Sequence, residues 1–152
     1  MSKIEWTEAT WNPTKGCTKV SPGCKNCYSE VMAKRLKAMG VAAYQDVVDE
    51  QGWTGKIALE LQVLQQPLRV KKPTVWFVDS MSDLFHEDVP DEYILQVFVA
   101  MALARHHTFQ ILTKRAERMQ KVLSDWWNRK SFLFGLRVGT AGLIKDGEWK
   151  YP

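Results

Sequence analysis

The chain has three cysteines, Cys17, Cys24 and Cys27, and all of them fall in the stretch GCTKVSPGCKNCY at 16–28. Their spacing is C-x6-C-x2-C, on a loop whose Gly16, Pro22 and Gly23 permit the tight turns that bring several sulfurs inward. Three chemistries use such a trio. A Cys24–Cys27 disulfide needs an oxidising compartment and leaves one thiol over. Structural zinc needs four ligands, so His86 or a distant carboxylate would have to complete the tetrahedron. A [4Fe–4S] cluster held by three thiolates leaves one iron without a protein ligand. The amino and carboxylate groups of S-adenosylmethionine suit that open position. The missing fourth cysteine favours this last reading, with zinc as the alternative.

Such a loop has to be held by regular elements. Val31, Met32, Arg35, Leu36 and Met39 recur at helical spacing ahead of Gly40, so a helix is expected directly after the cysteines. Residues 41–56 read as an irregular connection, followed by a short strand at 57–59 and a helical turn at 61–64. The run TVWFV at 74–78 is β-branched and aromatic, as in a strand buried on both faces, and it delivers Asp79, Ser80, Met81, Ser82 and Asp83 at its end. Asp88 and Asp91 suggest a capping arrangement around Pro90, and Ile94, Leu95, Val97, Phe98, Met101 and Ala102 make a broadly apolar helix. A second strand, TFQIL at 108–112, leads into Thr113, Lys114 and Arg115. The next helix carries Met119, Val122, Leu123, Trp126 and Trp127 on one side, and 132–138 reads as a further strand. Strand and helix alternate, so the fold class is α/β with a parallel sheet. In such sheets the strand C-termini share an edge, where Asp79, Ser80, Ser82 and Asp83 would meet Thr113, Lys114 and Arg115.

A length of 152 residues with 45% hydrophobic content fits one ordinary core, while 25% charged and 11% aromatic residues exclude disordered and fibrous classes. No apolar run approaches membrane-spanning length, and the start MSKIEWTEATW carries no signal-peptide pattern, so a cytoplasmic protein with reduced thiols and no membrane association is expected. The net charge of +4 and pI near 9.0 permit phosphate or an acidic partner. A nucleic-acid enzyme, for instance a radical enzyme acting on a modified or damaged base, is a third reading, in which Lys34, Arg35 and Lys37 meet phosphate; a solvated helix face accounts for them equally well. His106 and His107 have no spaced metal-ligand partners and are expected to close a helix C-terminus. No serine sits in a nucleophile elbow and no glycine-rich phosphate loop is present, so hydrolase and nucleoside-triphosphatase readings have no support.

Three longer segments, KIEWTEATWNPTKGCTKVSPGCKNCY, FVDSMSDLFHEDVPDEY and TFQILTKRAERM, resemble those of a three-cysteine-motif family of uncharacterised proteins common in bacteriophages and prophages. The likeness runs over about residues 2–136. That family is similar to the radical S-adenosylmethionine enzymes, which place a three-cysteine cluster loop after the first strand of a full or partial barrel. The resemblance implies a partial, half TIM-like barrel over 1–138 with the cysteine loop at 16–28, followed by a divergent, turn-rich tail at 139–152. It implies that Cys17, Cys24 and Cys27 bind the cluster, that Tyr28 shields it, and that Trp11 and Asn12 order the loop. Ser80, Asp83, Lys114 and Arg115 would then contact S-adenosylmethionine or the substrate, and no catalytic residue is assigned. The implied activity is reductive cleavage of S-adenosylmethionine to methionine and a 5′-deoxyadenosyl radical.

Two departures accompany the likeness. Radical enzymes commonly have C-x3-C-x2-C with an aromatic residue before the last cysteine, where this chain has the longer first gap and Asn26. The family also continues into further strand and helix units, so a shortened barrel with an open sheet edge, covered by a protein partner or a second copy, is expected, and loss of activity through that shortening is the alternative to a working enzyme. The alternative function is then a phage-encoded, metal-stabilised binding protein in the host cytoplasm that inhibits a host defence complex, for example a CRISPR effector. Trp126, Trp127 and Trp149 are candidate anchors for such an interface, with core packing the expectation for the first two.

Overall fold

The computed structural model describes residues 5–128, 144–145 and 148–149. In chain order the elements are β1 (Ala9–Trp11), β2 (Thr14–Lys15), α1 (Tyr28–Ala38), β3 (Ala58–Leu59), α2 (Gln66–Arg69), β4 (Val75–Val78), α3 (Asp91–Leu103), β5 (Thr108–Ile111), α4 (Ala116–Asn128), β6 (Ile144–Lys145) and β7 (Glu148–Trp149). Strand β4 is the aromatic and β-branched run, with Trp76, Phe77 and Val78 all buried, and it is central in a parallel sheet of order β1-β4-β5. The fold is therefore mixed α/β, and among the described residues the sheet is open, with no closed barrel. Its first strand, β1, was not marked by periodicity, because three residues are too few to show alternation. The strand expected at 132–138 lies outside the described residues. The tail contributes an antiparallel pair, β6 with β7, and the side chains of Trp127 and Trp149 lie outside the described residues.

One face of the sheet is covered by helices. Trp11, Trp76 and Val78 pack with Leu84, Phe85, Val89, Tyr93, Ile94, Val97 and Ala100 in the main core, and each fully buried side chain of this size contributes about 1.5–3 kcal/mol. Trp126 joins this core and meets Phe98 edge-on at 5.5 Å, as expected for a core tryptophan. Asp91 does not form the anticipated cap: α3 begins after Pro90 without a side-chain cap, and Asp91 Oδ1 instead accepts a hydrogen bond from Arg118 at 2.7 Å.

A second cluster, Ala33, Tyr44, Val47, Val48 and Met81 with Leu36 at its edge, fastens α1 to the connection that follows it and to the loop after β4. The helix after the cysteines forms as the spacing indicates, but its orientation does not follow the apolar count. Ser29 and Ala33 are buried, whereas Val31 is 53% exposed, Met32 41% and Met39 77%. Lys37 donates to the carbonyls of Gln45 and Val48 at 2.7 and 2.6 Å, and Lys34 to that of Glu50 at 2.8 Å. These two lysines hold the connection rather than a free phosphate-binding face. No helix among the described residues is long and apolar enough to cross a membrane.

His106 and His107 serve a helix end, but not that of the helix before them. Their Nε2 atoms lie 2.8 and 2.9 Å from the carbonyls of Val70 and Pro67, at the end of α2, and His107 Nδ1 accepts the Thr74 N–H at 3.1 Å. His107 is thus the buried link between α2 and the start of β4. Replacing it with leucine strands one backbone donor and one acceptor, so a loss of about 2–3 kcal/mol is expected, read as a lower urea midpoint at unchanged m-value.

Candidate functional site

Parallel pairing places the ends of β1, β4 and β5 on one edge, and the segments leaving them are stitched together by short polar side chains. Asn12, just past β1, accepts hydrogen bonds from Ser80 Oγ at 2.9 Å and the Met81 N–H at 3.2 Å. Thr14 donates its N–H to Asp79 Oδ1 at 2.9 Å, while its hydroxyl lies 2.6 Å from that of Ser82. Asp79 has φ 55, in the left-handed region that aspartate tolerates better than most side chains. Gly16, with φ 94, makes the turn into the cysteine loop, and a Cβ there would overlap the carbonyl oxygen of Lys56.

The rim after β5 is joined to the rim after β4 through one carboxylate. Asp83 Oδ1 accepts from the Phe85 N–H at 3.0 Å and Thr113 Oγ1 at 2.7 Å, and Oδ2 accepts from the Lys114 N–H at 3.0 Å and Arg115 Nη1 at 3.2 Å. Each oxygen therefore has two donors, and Asp83 positions the rim instead of facing a ligand. Arg115, at the start of α4, is similarly committed. Nε donates to Glu87 at 2.9 Å, Nη1 to Asp83 and to Cys17 Sγ at 3.8 Å, and Nη2 to the Thr18 carbonyl and hydroxyl at 3.4 and 2.6 Å. All five of its N–H donors are engaged. One turn later Arg118 grips the carbonyls of His86 and Val89. The i, i+3 spacing of the two arginines is the sequence signal for this second clasp.

His86 does not join the cysteines. It is buried, the Asp88 N–H points at Nδ1, and Nε2 lies 2.9 Å from Thr18 Oγ1, so the proton is assigned to Nε2. Burial and then the nearby Arg115 charge lower its pKa, keeping the ring neutral.

The three sulfurs are free thiols, each with its own polar neighbours. Burial raises the pKa of Cys17, with Arg115 opposing it. At Cys24 burial again opposes ionisation, but hydrogen bonds from Ser21 and the backbone, together with the Lys114 ammonium 3.4 Å away, outweigh it and bring the thiol down to about 7. Cys27 precedes α1; there too burial is outweighed, by the Ser29 hydroxyl at 2.9 Å, Trp53 and the first amides of the helix, so its pKa is also lowered.

A cavity of about 390 Å³ is lined by Cys17, Cys24 and Cys27 together with Tyr28, Ser80, Asp83, Lys114 and Arg115, whereas Trp11, Asn12 and His86 lie outside its lining. Tyr28 donates its hydroxyl to the Ser80 carbonyl at 2.6 Å. Phe77 and Asp79 complete the floor, and Leu112 and Val20 stand at the rim. Among the described residues no three His, Cys, Asp or Glu side chains are gathered closely enough to hold a single ion. The sulfurs instead surround a space. Three thiols, two with lowered pKa values and two beside cationic groups, form a donor set that fits a multi-iron group in which each sulfur serves a different iron. No curated protein and no solved structure matches this chain. A family model does match it, over residues 1–147, and the chain belongs to that family, a protein family of unknown function, DUF5131.

Proposed function

We propose that this chain is a radical S-adenosylmethionine-like iron–sulfur protein of phage lineage, with its open parallel sheet as part of a TIM-like barrel. The observation that carries the reading is the convergence of all three cysteines on one cavity at the shared strand-end edge. Cys17, Cys24 and Cys27 would hold a [4Fe–4S] cluster, leaving one iron for S-adenosylmethionine. Such a cluster, once reduced, would provide the single electron needed to split the sulfonium of S-adenosylmethionine into methionine and a 5′-deoxyadenosyl radical able to abstract hydrogen from a substrate.

The chain's own residues do the positioning. Lys114 and Arg115 place positive charge beside Cys24 and Cys17, which favours their thiolate forms. Arg115 also fixes the loop immediately after Cys17 through Thr18. Tyr28 is tied to Ser80 and covers one side of the cavity, helping to exclude water, while Ser80, Ser82 and Lys114 add polar groups to its lining.

The test is elemental analysis of protein purified without oxygen. About four irons and four sulfides per chain are expected, lost when the three cysteines are replaced with alanine, followed by release of 5′-deoxyadenosine on reduction with S-adenosylmethionine present. Stoichiometric zinc without iron would replace this reading with that of a metal-stapled binding module. Iron without 5′-deoxyadenosine would leave a cluster protein that has lost its chemistry.

A further inference from the structure

The segment that carries the cysteines and α1 is rich in positive charge. Between residues 15 and 40 there are six basic side chains and a single acid, Glu30, an excess larger than the +4 of the whole chain. Two of the six are matched by carboxylates, Lys15 by Glu60 at 3.1 Å and Lys19 by Glu30 at 2.9 Å. Lys34 and Lys37 turn back to the connection behind α1, where Asp46, Asp49 and Glu50 lie. Lys25 and Arg35 are left pointing outward, and Lys114 is exposed at the opposite rim.

Along the same outward face of α1, Tyr28, Met32, Arg35 and Met39 follow one another at helical spacing. Tyr28 is the end nearest the chemistry. Its ring is 57% exposed, its hydroxyl is fixed on Ser80, and it lines the cavity, so one aromatic face is held ready at the mouth. Cationic side chains tracking a surface that ends in a fixed aromatic platform suit a polyanion carrying flat, apolar rings. A second copy of this face would bring like charges together and is disfavoured.

The geometry points to a single-stranded nucleic acid as the substrate, its phosphates crossing Lys25, Arg35 and Lys114 and one base stacking on Tyr28 at the cavity mouth. As a substrate assignment this rests on the radical-enzyme reading above; as a binding site it does not. Backbone contact by cations and stacking by an aromatic ring are both insensitive to sequence, so binding should show little base preference.

The experiment is fluorescence anisotropy with labelled 20-nucleotide single strands of DNA and of RNA, and a DNA duplex of the same sequence, on full-length protein of measured iron content. Single strands are expected to bind more tightly than the duplex, with a log–log salt slope of about −2 from three neutralised phosphates. The paired reversal Lys25→Glu and Arg35→Glu, both at exposed positions, should weaken binding about tenfold or more without moving the thermal midpoint. Tyr28→Leu should weaken binding by about 5- to 150-fold while leaving the salt slope in place. The proposal is overturned by absence of binding in low salt, by a charge reversal without effect, or by poly-glutamate competing as well as the oligonucleotide, which would mark the face as a dock for acidic proteins. Binding by protein that holds no iron would sink the cluster reading and leave this one standing, and iron-loaded protein that does not bind would do the reverse.

Discussion

Replacing Arg115 with methionine is expected to cost the fold about 3–5 kcal/mol, the penalty for leaving one member of a buried ion pair without its partner. Asp83 is 5% exposed and would lose its only cationic contact among the described residues while still accepting the N–H groups of Phe85 and Lys114. Thr18 would lose both guanidinium bonds at once, so the segment between Cys17 and Val20 loses its tether. Arg115→Lys should recover little, since an ammonium on a flexible stem cannot serve Glu87, Asp83 and Thr18 from one plane. Urea midpoints at pH 7 measure the effect, and Glu87→Gln is the control. Glu87 is largely exposed, so that change should cost under about 1 kcal/mol although it removes the other ion pair of the same arginine. Equal losses from the two variants would show that the pair with Asp83 has no special weight.

The second large effect is a dependence of stability on pH that runs against acid denaturation. Burial of Asp79 is the leading cause that raises its pKa to about 7, and the Thr14 N–H only partly offsets it. Oδ2 is buried without a hydrogen-bond partner. The unfolded chain therefore ionises this group near pH 4 while the folded chain keeps the proton until near pH 7. Across that window the folded state binds more protons, so stability falls as pH rises, by on the order of 4 kcal/mol in total, and the contribution is flat below and above the window. Asp79→Asn keeps an acceptor for the Thr14 N–H, suits a positive φ, and carries no charge to bury. The variant should be more stable than the parent at pH 8 and level with it at pH 4. A parallel pH profile for the two proteins would remove Asp79 as the cause.

Much of the scaffold could be read from the chain because its signals were dense. Val75, Trp76, Phe77 and Val78 form a strand in almost any context, and the repeated strand-helix order leaves few arrangements other than a parallel sheet. The meeting of Asp83 with Lys114 and Arg115 was also legible, since both groups follow a strand, but their approach to the cysteines was expected only from the resemblance, because β1 is too short to leave a periodic signal. What could not be read was which atoms were free. The type and position of Asp83 are those of a ligand contact, yet both of its oxygens are saturated, and that follows from the backbone path of the 113–115 turn. Helix α1 shows the same limit: periodicity found the helix, but small Ser29 and Ala33 face the protein because the connection with Tyr44 and Val48 comes too close for larger side chains. His107 was placed at a helix terminus by residue type, and only tertiary contact shows that the terminus belongs to α2.

The shared carboxylate of Asp83 has a mechanical consequence. Because one side chain clasps the turn after β4 and the turn after β5, neither can swing outward alone; a breach at either anchor slackens both walls together. That wall of the cavity therefore yields or holds as one unit, whereas the α1 side is tied across by a separate bond, Tyr28 to Ser80.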